Sequence, residues 1–320
     1  ISTLSNERLT ELGVRDAADL AAHVPGLTAK PSLGDQNMIF TIRGVGISSF
    51  FAANNQSTSV YVNQAPLVFH PMMALQLYDI ERVEVLKGPQ GTLYGRNTTS
   101  GAINFITRRP SEEFGGYVDA SFGRYNDLRL EGAVTGQIAP GLNARVSGVT
   151  RQRSSGWQKN RLTGEKIGDQ DTLSGRLMLE WQASDNLDFL LDVHGGRVRS
   201  DAPEYEHTGI RAAAGSPVLC SPVQLGQRAE GTCVNAQGYF DPDDAPFTGD
   251  YNDKNGVRTD SYGGSLTANW AFSSVTATAI VGYENFERNM KFDGDASPLS
   301  LSGNDFTDDI ETWSSEIRLA

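Results

Sequence analysis

The most constraining feature of this sequence is an alternation of apolar and polar residues with a period of two, which begins at Gly116. Over residues 128–138 the even positions are apolar or glycine, whereas Arg129 and Glu131 occupy odd positions. Eight such segments can be counted, and clear examples lie at residues 173–181, 187–193, 262–270 and 275–283. A period of two is typical of a β-strand with one apolar face. The sequence therefore predicts eight β-strands after Gly116.

The connections between these segments alternate between short and long. Short turns at residues 139–142, 184–186 and 272–274 alternate with long polar segments at 154–170, 200–257 and 290–311. Strands of about ten residues with long loops on one side are typical of an antiparallel outer-membrane β-barrel, which makes membrane lipid a predicted partner. A soluble β-sandwich is the alternative, but its loops are seldom so asymmetric. Aromatic residues near strand ends are candidates for the interfacial girdles: Trp157, Trp181, Trp270, Tyr283 and Trp313.

The first part of the chain has a different pattern. Two short helical segments, the second over residues 16–23, are followed by β-rich segments that Gly, Asn and Pro loops separate. We predict an α+β domain over residues 1–112 and barrel strands over residues 113–320. A domain of that size has no room in the narrow lumen of an eight-stranded barrel. Because the chain also stops at Ala320 within an alternating segment, we expect further strands in the native protein.

Composition narrows the class of protein. The 320 residues include 27 Lys+Arg and 39 Asp+Glu, which gives a formal net charge of −12, and 38% are hydrophobic. That hydrophobic fraction is too high for a disordered acidic chain and too low for a bundle of membrane helices. Since nucleic-acid binding depends on clustered Lys and Arg, the excess of acidic residues argues against a nucleic-acid partner.

The sequence contains two cysteines, Cys220 and Cys233, and both lie in one loop rich in Gly, Pro and Asp. This close pair predicts a disulfide within the loop, in preference to a metal site or two free thiols. A loop disulfide in turn indicates an oxidising compartment.

Six ordered motifs in the first part of the chain resemble a known domain. They are LAAHVPGL at residues 20–27, IRG at 42–44, VYVN at 60–63, IERVEVLKGP at 80–89, LYG at 93–95 and GAIN at 101–104. Together they resemble the plug of TonB-dependent outer-membrane receptors. The sequence departs from the usual pattern in two turns: Asn63-Gln64 stands in place of Asp-Gly, and Thr99-Ser100-Gly101 stands where a Gly-Gly pair is common. Both departures are expected to affect local geometry more than function.

The resemblance implies both a fold and a function. Receptors of this family place the plug inside a barrel of about 22 strands, so this chain would supply the plug and the first eight strands. A member imports a scarce nutrient across the outer membrane of a Gram-negative bacterium, and a TonB-type inner-membrane energy-coupling complex drives the import. The segment that contacts this complex lies before the plug, so coupling rests on the resemblance alone. A non-transporting surface binder or a signalling receptor on the same scaffold is the alternative.

Charged residues are expected to latch the plug to the barrel. The resemblance implies plug arginines that face barrel glutamates, with Arg82 and Arg96 as first choices. The alternative for each is a surface ion pair of little energy. The candidate latch residues are Arg43, Arg82, Glu84 and Arg96, and the candidate partners in the lumen are Glu131 and Glu180.

Two plug loops are predicted to meet the ligand, because aromatic and amide side chains stack on planar ligands and bind their edges. The candidates are Phe50, Phe51, Asn54, Asn55, Phe69, His70, Met72 and Met73, with loop packing as the alternative for each. Haem would need an axial ligand, and His70 has no second histidine motif to accompany it. A ferric siderophore brings its iron already coordinated and is the predicted ligand, with haem, cobalamin and oligosaccharides as alternatives. No cofactor is expected.

Other motifs support no further chemistry. Asp241, Asp243 and Asp244 could hold Ca²⁺, but they lack EF-hand spacing, so a solvated acidic loop is favoured and no metal site is predicted. The Gly-rich segment at residues 88–97 lacks the Lys-Ser/Thr ending of a phosphate-binding loop. The sequence shows no catalytic motif, so an enzyme is not expected.

Overall fold

A computed structural model describes the chain except at residues 15, 33–36, 48–55, 96, 228–232 and 244. The described residues form an N-terminal α+β unit and a long antiparallel sheet that packs against it. None of the described helices combines the length and the apolar character that crossing a bilayer would require.

The N-terminal unit is built from short elements around one apolar core. A five-stranded sheet has the order β1-β6-β7-β4-β5, and β2 pairs with β3 in a separate hairpin. The first two helices begin at caps that the sequence provides, since the Ser5 hydroxyl accepts from Arg8 N–H and Asp16 forms a capping box with Asp19. The elements are β1 (Ser2–Ser5), α1 (Asn6–Glu11), α2 (Ala17–His23), β2 (Leu27–Ser32), β3 (Asn37–Ile42), β4 (Thr58–Val62), β5 (Ala65–Leu67), a 3₁₀ helix (His70–Leu75), β6 (Ile80–Lys87), α3 (Gly91–Tyr94) and β7 (Gly101–Thr107). The core contains Leu20, Ile42, Val60, Met72, Val85 and Ile103.

The rest of the chain is dominated by one eight-stranded sheet, as predicted. Each long strand pairs antiparallel with the next long strand along the chain, in the order β8-β9-β10-β13-β14-β16-β17-β18. The elements are β8 (Gly115–Gly123), a 3₁₀ turn (Arg124–Asn126), β9 (Asp127–Ala139), β10 (Leu142–Arg153), β11 (Gln158–Asn160), β12 (Lys166–Ile167), β13 (Gln170–Ser184), β14 (Leu187–Ser200), α4 (Ser221–Gln224), β15 (Thr248–Gly249), β16 (Gly256–Phe272), β17 (Val275–Asp293) and β18 (Gly303–Leu319).

The two faces of this sheet are reversed relative to a soluble protein. On β13 the side chains of Leu173, Leu177 and Trp181 are exposed, whereas Ser174 and Arg176 are buried. The N-terminal unit packs against the polar face, so the apolar face has no protein covering among the described residues. Such a sheet is stable when lipid covers its apolar face. The arrangement confirms the predicted membrane-barrel architecture and argues against the soluble sandwich.

Most strands are longer than the sequence predicted, and the last three are the longest. Strands β16, β17 and β18 contain 17, 19 and 17 residues, whereas about ten were expected. The long loop expected over residues 290–311 is reduced to the segment between Asp293 and Gly303, because polar residues on both sides continue the strand ladder. Arg288 lies opposite Asp308 and Lys291 opposite Asp305, and each pair forms a salt bridge. Cross-strand ion pairs therefore extend β17 and β18 where composition alone predicted a loop.

We expect Leu177→Arg to destabilise the intact protein in lipid vesicles by about 2–4 kcal/mol, because Leu177 is the central residue of β13 on its lipid-facing side. Leu173→Arg is the matched control, since Leu173 lies on the same face nearer the strand end and should cost about 0–1 kcal/mol. Urea titration in vesicles measures both changes. Equal losses at the two positions would contradict the membrane orientation of this strand.

Candidate interface between plug and wall, and candidate ligand cavity

A four-residue segment of the N-terminal unit makes many polar contacts with the barrel wall. We call residues 76–79 the clasp segment. It follows the 3₁₀ helix over His70–Leu75 and precedes β6, and its last residue, Asp79, adopts a positive φ of 55°. The segment therefore turns the chain sharply at the wall, and its peptide groups need hydrogen-bond partners outside regular structure.

Asp79 forms a buried ion pair with Arg145 on β10. The Arg145 Nε and Nη2 atoms lie 2.6 and 2.5 Å from the two carboxylate oxygens of Asp79, and the two side chains are 6% and 1% exposed. The Asp79 N–H donates to Glu131 on β9 at 2.9 Å, and the Tyr117 hydroxyl on β8 donates to the same glutamate oxygen at 2.7 Å. Bidentate charged pairs of this kind fix geometry closely. Three neighbouring strands thus hold one plug residue.

Arg176 on β13 holds the other end of the clasp segment. Its Nη2 and Nη1 atoms donate to the backbone carbonyls of Gln76 at 3.0 Å and Tyr78 at 3.3 Å. Its guanidinium carbon lies 4.6 Å from the centroid of the Tyr78 ring. The Gln76 side chain donates in turn to Glu284 on β17 at 3.2 Å. The backbone carbonyls of Gln76 and Tyr78, which lie outside regular structure, are therefore satisfied by a barrel side chain.

A second polar cluster lies beside the clasp segment. His194 on β14 places Nδ1 2.8 Å from Asp192 and Nε2 3.1 Å from Glu284. From the plug, the Asn63 side-chain amide donates to Asp192 at 3.1 Å. An aspartate at position 63 would instead face Asp192 with a like charge, so this contact explains why Asn63 replaces the usual residue of that turn. Sequence reasoning missed Asn63 because it treated the turn as local geometry alone.

The predicted arginine latch is not formed by the predicted pairs. Arg82 places Nε 2.9 Å from Glu84 and Nη1 2.6 Å from Glu81, and all three residues lie on β6. The expectation that Arg82 pairs with Glu131 or Glu180 is wrong among the described residues, because acids on its own strand are nearer. Arg43 is exposed at the turn after β3, and Arg96 lies outside the described residues.

The two barrel glutamates contact other residues. Glu131 forms a salt bridge of 2.6 Å with Arg129 in addition to its contact with the Asp79 N–H. Glu180 pairs at 3.1 Å with Arg109, which lies in the segment between β7 and β8. Both acids therefore do hold N-terminal residues, but through partners that were not predicted. A backbone N–H leaves no signal in a sequence, which is why the contact of Glu131 was missed.

The predicted ligand residues that the structure describes are buried in the plug. The exposed fractions are 5% for Phe69, 4% for His70, 0% for Met72 and 4% for Met73. These residues were expected at an exposed loop, but His70–Leu75 forms a 3₁₀ helix whose side chains turn inward. Direct ligand contact by Met72 is therefore excluded in this conformation. The other four candidates lie outside the described residues: Phe50, Phe51, Asn54 and Asn55.

Both ring nitrogens of His70 face backbone carbonyls. Nδ1 lies 2.7 Å from the oxygen of Met38 and Nε2 lies 3.3 Å from the oxygen of Thr58. Burial lowers the pKa of His70, which favours the neutral ring with a single N–H at the shorter contact. The Phe40 ring packs against its edge at 5.4 Å. A ring held in this way is not placed to bind haem iron.

A cavity of about 390 Å³ lies between the plug and the wall. It is located at the end of the sheet from which the long loops extend. We call it the upper cavity. Arg153 stacks on Trp157 with 4.3 Å between the guanidinium carbon and the ring centroid. Arginine and aromatic groups in a cavity of this size suit a small anionic ligand with planar parts that shares the arginines with their salt-bridge partners, Asp127 and Glu131. The lining includes Met38, His70, Met73 and Tyr78 from the plug, Arg129, Arg151 and Arg153 from the strands, and Trp157, Asp201 and Pro203 from the loops.

The acidic loop is organised by an arginine. Arg161 lies 2.7 Å from Asp241, 2.7 Å from Asp243 and 2.9 Å from Asp250. The Arg161 guanidinium therefore lies where Ca²⁺ would have to bind in the alternative interpretation. Asp244 lies outside the described residues. Asp241 is buried, so the favoured picture of a solvated loop was wrong at that residue. Cys220 and Cys233 form a disulfide in the same loop, with 5.7 Å between their Cα atoms.

Glu204 joins the loop after β14 to the end of β17. Its two carboxylate oxygens accept from the Asn255 side chain at 2.5 Å and from the Asp293 N–H at 3.0 Å. Burial raises the pKa of Glu204 to about 7, although these hydrogen bonds oppose the shift. The folded loop therefore binds a proton at Glu204 more tightly than the unfolded chain does.

Comparison with known proteins identifies the family. The family model described as TonB-dependent Receptor Plug Domain matches residues 1–102. The solved structure of the ferric yersiniabactin uptake receptor from Yersinia pestis aligns with 99% of this chain and 45% of that chain, with a TM-score of 0.77 at 20% identity. The chain belongs to the TonB-dependent outer-membrane receptors. Its N-terminal unit is the plug of this receptor, and its long sheet is part of the barrel.

Two further relatives support this assignment. The pesticin receptor of Yersinia enterocolitica is 33% identical over 165 residues, which is 51% of this chain and 24% of that relative. The ferripyoverdine receptor of the outer membrane of Pseudomonas aeruginosa aligns with 99% of this chain and 39% of that chain, with a TM-score of 0.70 at 13% identity. The chain thus spans about a quarter of the first curated relative. The predicted outer-membrane location in a Gram-negative bacterium is confirmed, and these relatives are receptors and not enzymes.

We expect Asp79→Ala to weaken plug seating by about 3–5 kcal/mol, because it leaves Arg145 buried without its partner. Passive leakage of a large antibiotic through the intact receptor measures seating. Arg82→Ala is the control, since its partly exposed ion pairs within β6 should contribute under about 1 kcal/mol. Equal leakage in both variants would place the latch on β6 and not on the clasp segment.

We expect the loops around Glu204 to be more stable at pH 5 than at pH 8. A raised folded-state pKa gives stability that is complete below the unfolded value of 4.5 and is lost as the pH rises through about 7. Protease sensitivity of the loop between β14 and β16 across this range measures the effect. Glu204→Gln should abolish the pH dependence, whereas the exposed control Glu206→Gln should retain it.

Proposed function

We propose that the intact receptor imports a ferric siderophore and that a TonB-type inner-membrane complex supplies the energy. The observation that carries the proposal is the upper cavity, which lies beside the long loops and combines three arginines with Trp157. Ferric siderophores are commonly anionic, and guanidinium groups bind such oxygen-rich anions well. The names of two similar receptors, for ferric yersiniabactin and ferripyoverdine, support the same class of ligand.

The chemistry of the described residues favours a ligand that brings its own coordinated metal. No group of His, Cys, Asp and Glu among the residues that the structure describes could hold a metal ion. His70, the one candidate for a haem ligand, is engaged by the carbonyls of Met38 and Thr58. The protein would therefore contribute charge and stacking, while the siderophore holds the iron.

Energy coupling is supported by how firmly the plug is held. The Asp79–Arg145 pair and the contacts of Arg176 with Gln76 and Tyr78 are all buried. Breaking buried charged contacts needs several kcal/mol, and the outer membrane has no ion gradient or ATP of its own. An external source of work is therefore required to open the plug.

We infer two further assignments from the same geometry. Met73 and His70 line the upper cavity and remain ligand-contact candidates. Phe50, Phe51, Asn54 and Asn55 lie outside the described residues and stay candidates on the sequence alone. The domain boundary is proposed at residues 112 and 113, because the segment between the end of β7 at Thr107 and the start of β8 at Gly115 contains no strand.

The test measures binding and uptake of a radioactively labelled ligand by cells that carry the intact receptor. The probes are ferric yersiniabactin and ferripyoverdine labelled in their iron, with iron-labelled haem and cobalt-labelled cobalamin as alternatives. We expect one ferric siderophore to bind and enter, and we expect entry but not binding to fail in a strain without the coupling complex. Binding without entry in either strain would identify a surface binder, and entry only of haem or cobalamin would overturn the ligand class.

A pair of arginine variants tests the cavity. Arg153→Gln should weaken siderophore binding about tenfold, which corresponds to the loss of about one charge-assisted hydrogen bond. Arg199→Gln is the matched control, because Arg199 lies on β14 in a salt bridge with Asp260 and does not line the upper cavity. Equal affinities for the two variants would place the ligand elsewhere.

A further inference from the structure

The outward face of the long sheet changes from apolar to charged at a defined level. On β16 the outward positions from Trp270 to Tyr262 carry apolar side chains or glycine, and Trp270, Leu266 and Tyr262 are exposed. Such a stretch covers about 27 Å along a strand and roughly 20 Å along the membrane normal when the strand is tilted, which is close to the height of the apolar band of a barrel. The next outward positions are Asp260 and Arg258. Both therefore lie at the level of lipid headgroups, on the side of the long loops.

An aromatic cluster marks the same boundary on two further strands. The ring centroid of Tyr262 lies 6.2 Å from that of Tyr283 on β17, and Tyr283 lies 4.6 Å from Trp313 on β18. Tyr and Trp concentrate at membrane–water interfaces, because their rings are apolar and their O–H and N–H groups are polar. The cluster places the boundary between acyl chains and headgroups next to Asp260.

Three arginines and one acid face outward beyond this boundary on β14 and β16. Arg197 lies opposite Asp260, and Arg199 lies opposite Arg258. Arg199 is already occupied, because its Nη2 atom lies 2.8 Å from both carboxylate oxygens of Asp260 and its Nη1 atom donates to two backbone carbonyls. The nearest salt-bridge partner of Arg197 is Asp171 on β13, at 3.9 Å. We call Arg197 and Arg258 the outer arginine pair.

The charge of Arg258 is not balanced. The residue is exposed, and its side chain forms neither a salt bridge nor a hydrogen bond with any residue that the structure describes. Glu287, at a diagonal position on β17, is no exception. The residue directly opposite on β14 is a second cation, Arg199, and like charges opposite each other on neighbouring strands destabilise a sheet. An anion held beside Arg258 would offset this repulsion.

The neighbouring strands are acidic at the same level. On β17, Glu287 lies opposite Asp260, and on β18, Asp309 lies opposite Glu287. The outward-facing Lys291 of β17 is paired at 2.8 Å with Asp305. This distribution of charge directs an anion to β14 and β16 and away from β17 and β18.

We propose that the outer arginine pair binds the phosphorylated headgroup of a lipid in the outer leaflet of the membrane. Diagonal residues on neighbouring strands lie about 7–8 Å apart, within reach of long side chains, so Arg197 and Arg258 can contact one headgroup together. Guanidinium groups match phosphate oxygens in geometry and charge. The acyl chains of the same lipid cover the exposed Val193 and Leu266, which free phosphate would leave bare.

The test measures lipid binding to the intact receptor, purified in a neutral detergent, by native mass spectrometry. The probes are diphosphoryl lipid A and the same lipid after removal of both phosphates, with inorganic phosphate as competitor. We expect the receptor to bind the diphosphoryl lipid at least tenfold more tightly than the dephosphorylated lipid. Equal binding of the two lipids would overturn the proposal. Displacement of the lipid by an equal concentration of inorganic phosphate would also overturn it, because the site would then take free phosphate.

A pair of variants with the same change of charge locates the site. Arg258→Gln should bind the diphosphoryl lipid about tenfold more weakly, as expected for the loss of a charge-assisted hydrogen bond. Lys291→Gln is the matched control, because the Lys291 ammonium already pairs with Asp305. It should bind the lipid as the unchanged receptor does. Equal affinities for the two variants would overturn the assignment to the outer arginine pair.

Arg258→Glu separates lipid binding from folding. An acidic side chain opposite Arg199 forms a favourable cross-strand pair, so the melting temperature in detergent without added lipid should be unchanged or higher. The same variant should lose the tenfold preference for the phosphorylated lipid. If the preference survived in this folded variant, Arg258 would not contact the headgroup and the proposal would fail. Lipid binding is measured without any imported ligand, so the result is independent of the proposed function.

Discussion

The buried ion pair between Asp79 and Arg145 determines how the plug meets the wall. Desolvating two charges offsets much of their attraction, so the pair adds less to stability than its short distances imply. The pair fixes the position of the plug against the wall, because separating either charge from its partner would strongly destabilise the interface. Asp79 at the turn before β6 is thereby held beside β8, β9 and β10, and the adjacent Tyr78 is placed under Arg176.

The contacts around this pair combine firm seating with a capacity for motion. An apolar interface between plug and wall would be filled and would leave no route for a polar ligand. Here the wall presents Arg145, Arg176 and His194 to the plug, and the upper cavity remains beside Tyr78. Polar contacts exchange partners with water more readily than apolar packing is replaced. The inverted sheet makes this possible, since its polar face is the one that lines the lumen.

Sequence reasoning predicted the strands well and the interface poorly. The alternation on β13 indicated one apolar face, and that signal depends only on residue order. The buried side chains of Met72 and Phe69 were expected at the surface, because a short 3₁₀ helix leaves almost no periodic signal. Likewise, Arg82 was paired with distant acids although Glu81 and Glu84 lie beside it. Contacts between residues far apart in sequence cannot be inferred from the order of residues until the fold is known.

The contact of Asn63 with Asp192 shows what a departure from a family pattern can mean. The turn after β4 needs two consecutive residues with positive φ, which are 49° at Asn63 and 70° at Gln64. Asp, Asn and Gly all tolerate such a turn, so backbone geometry does not decide among them. The contact with the wall favours Asn at this position, because Asp192 already faces Arg176 and His194 and accepts a further hydrogen bond from the plug. A residue that looks like a neutral substitution in the turn is therefore one of the residues that align the plug with the barrel.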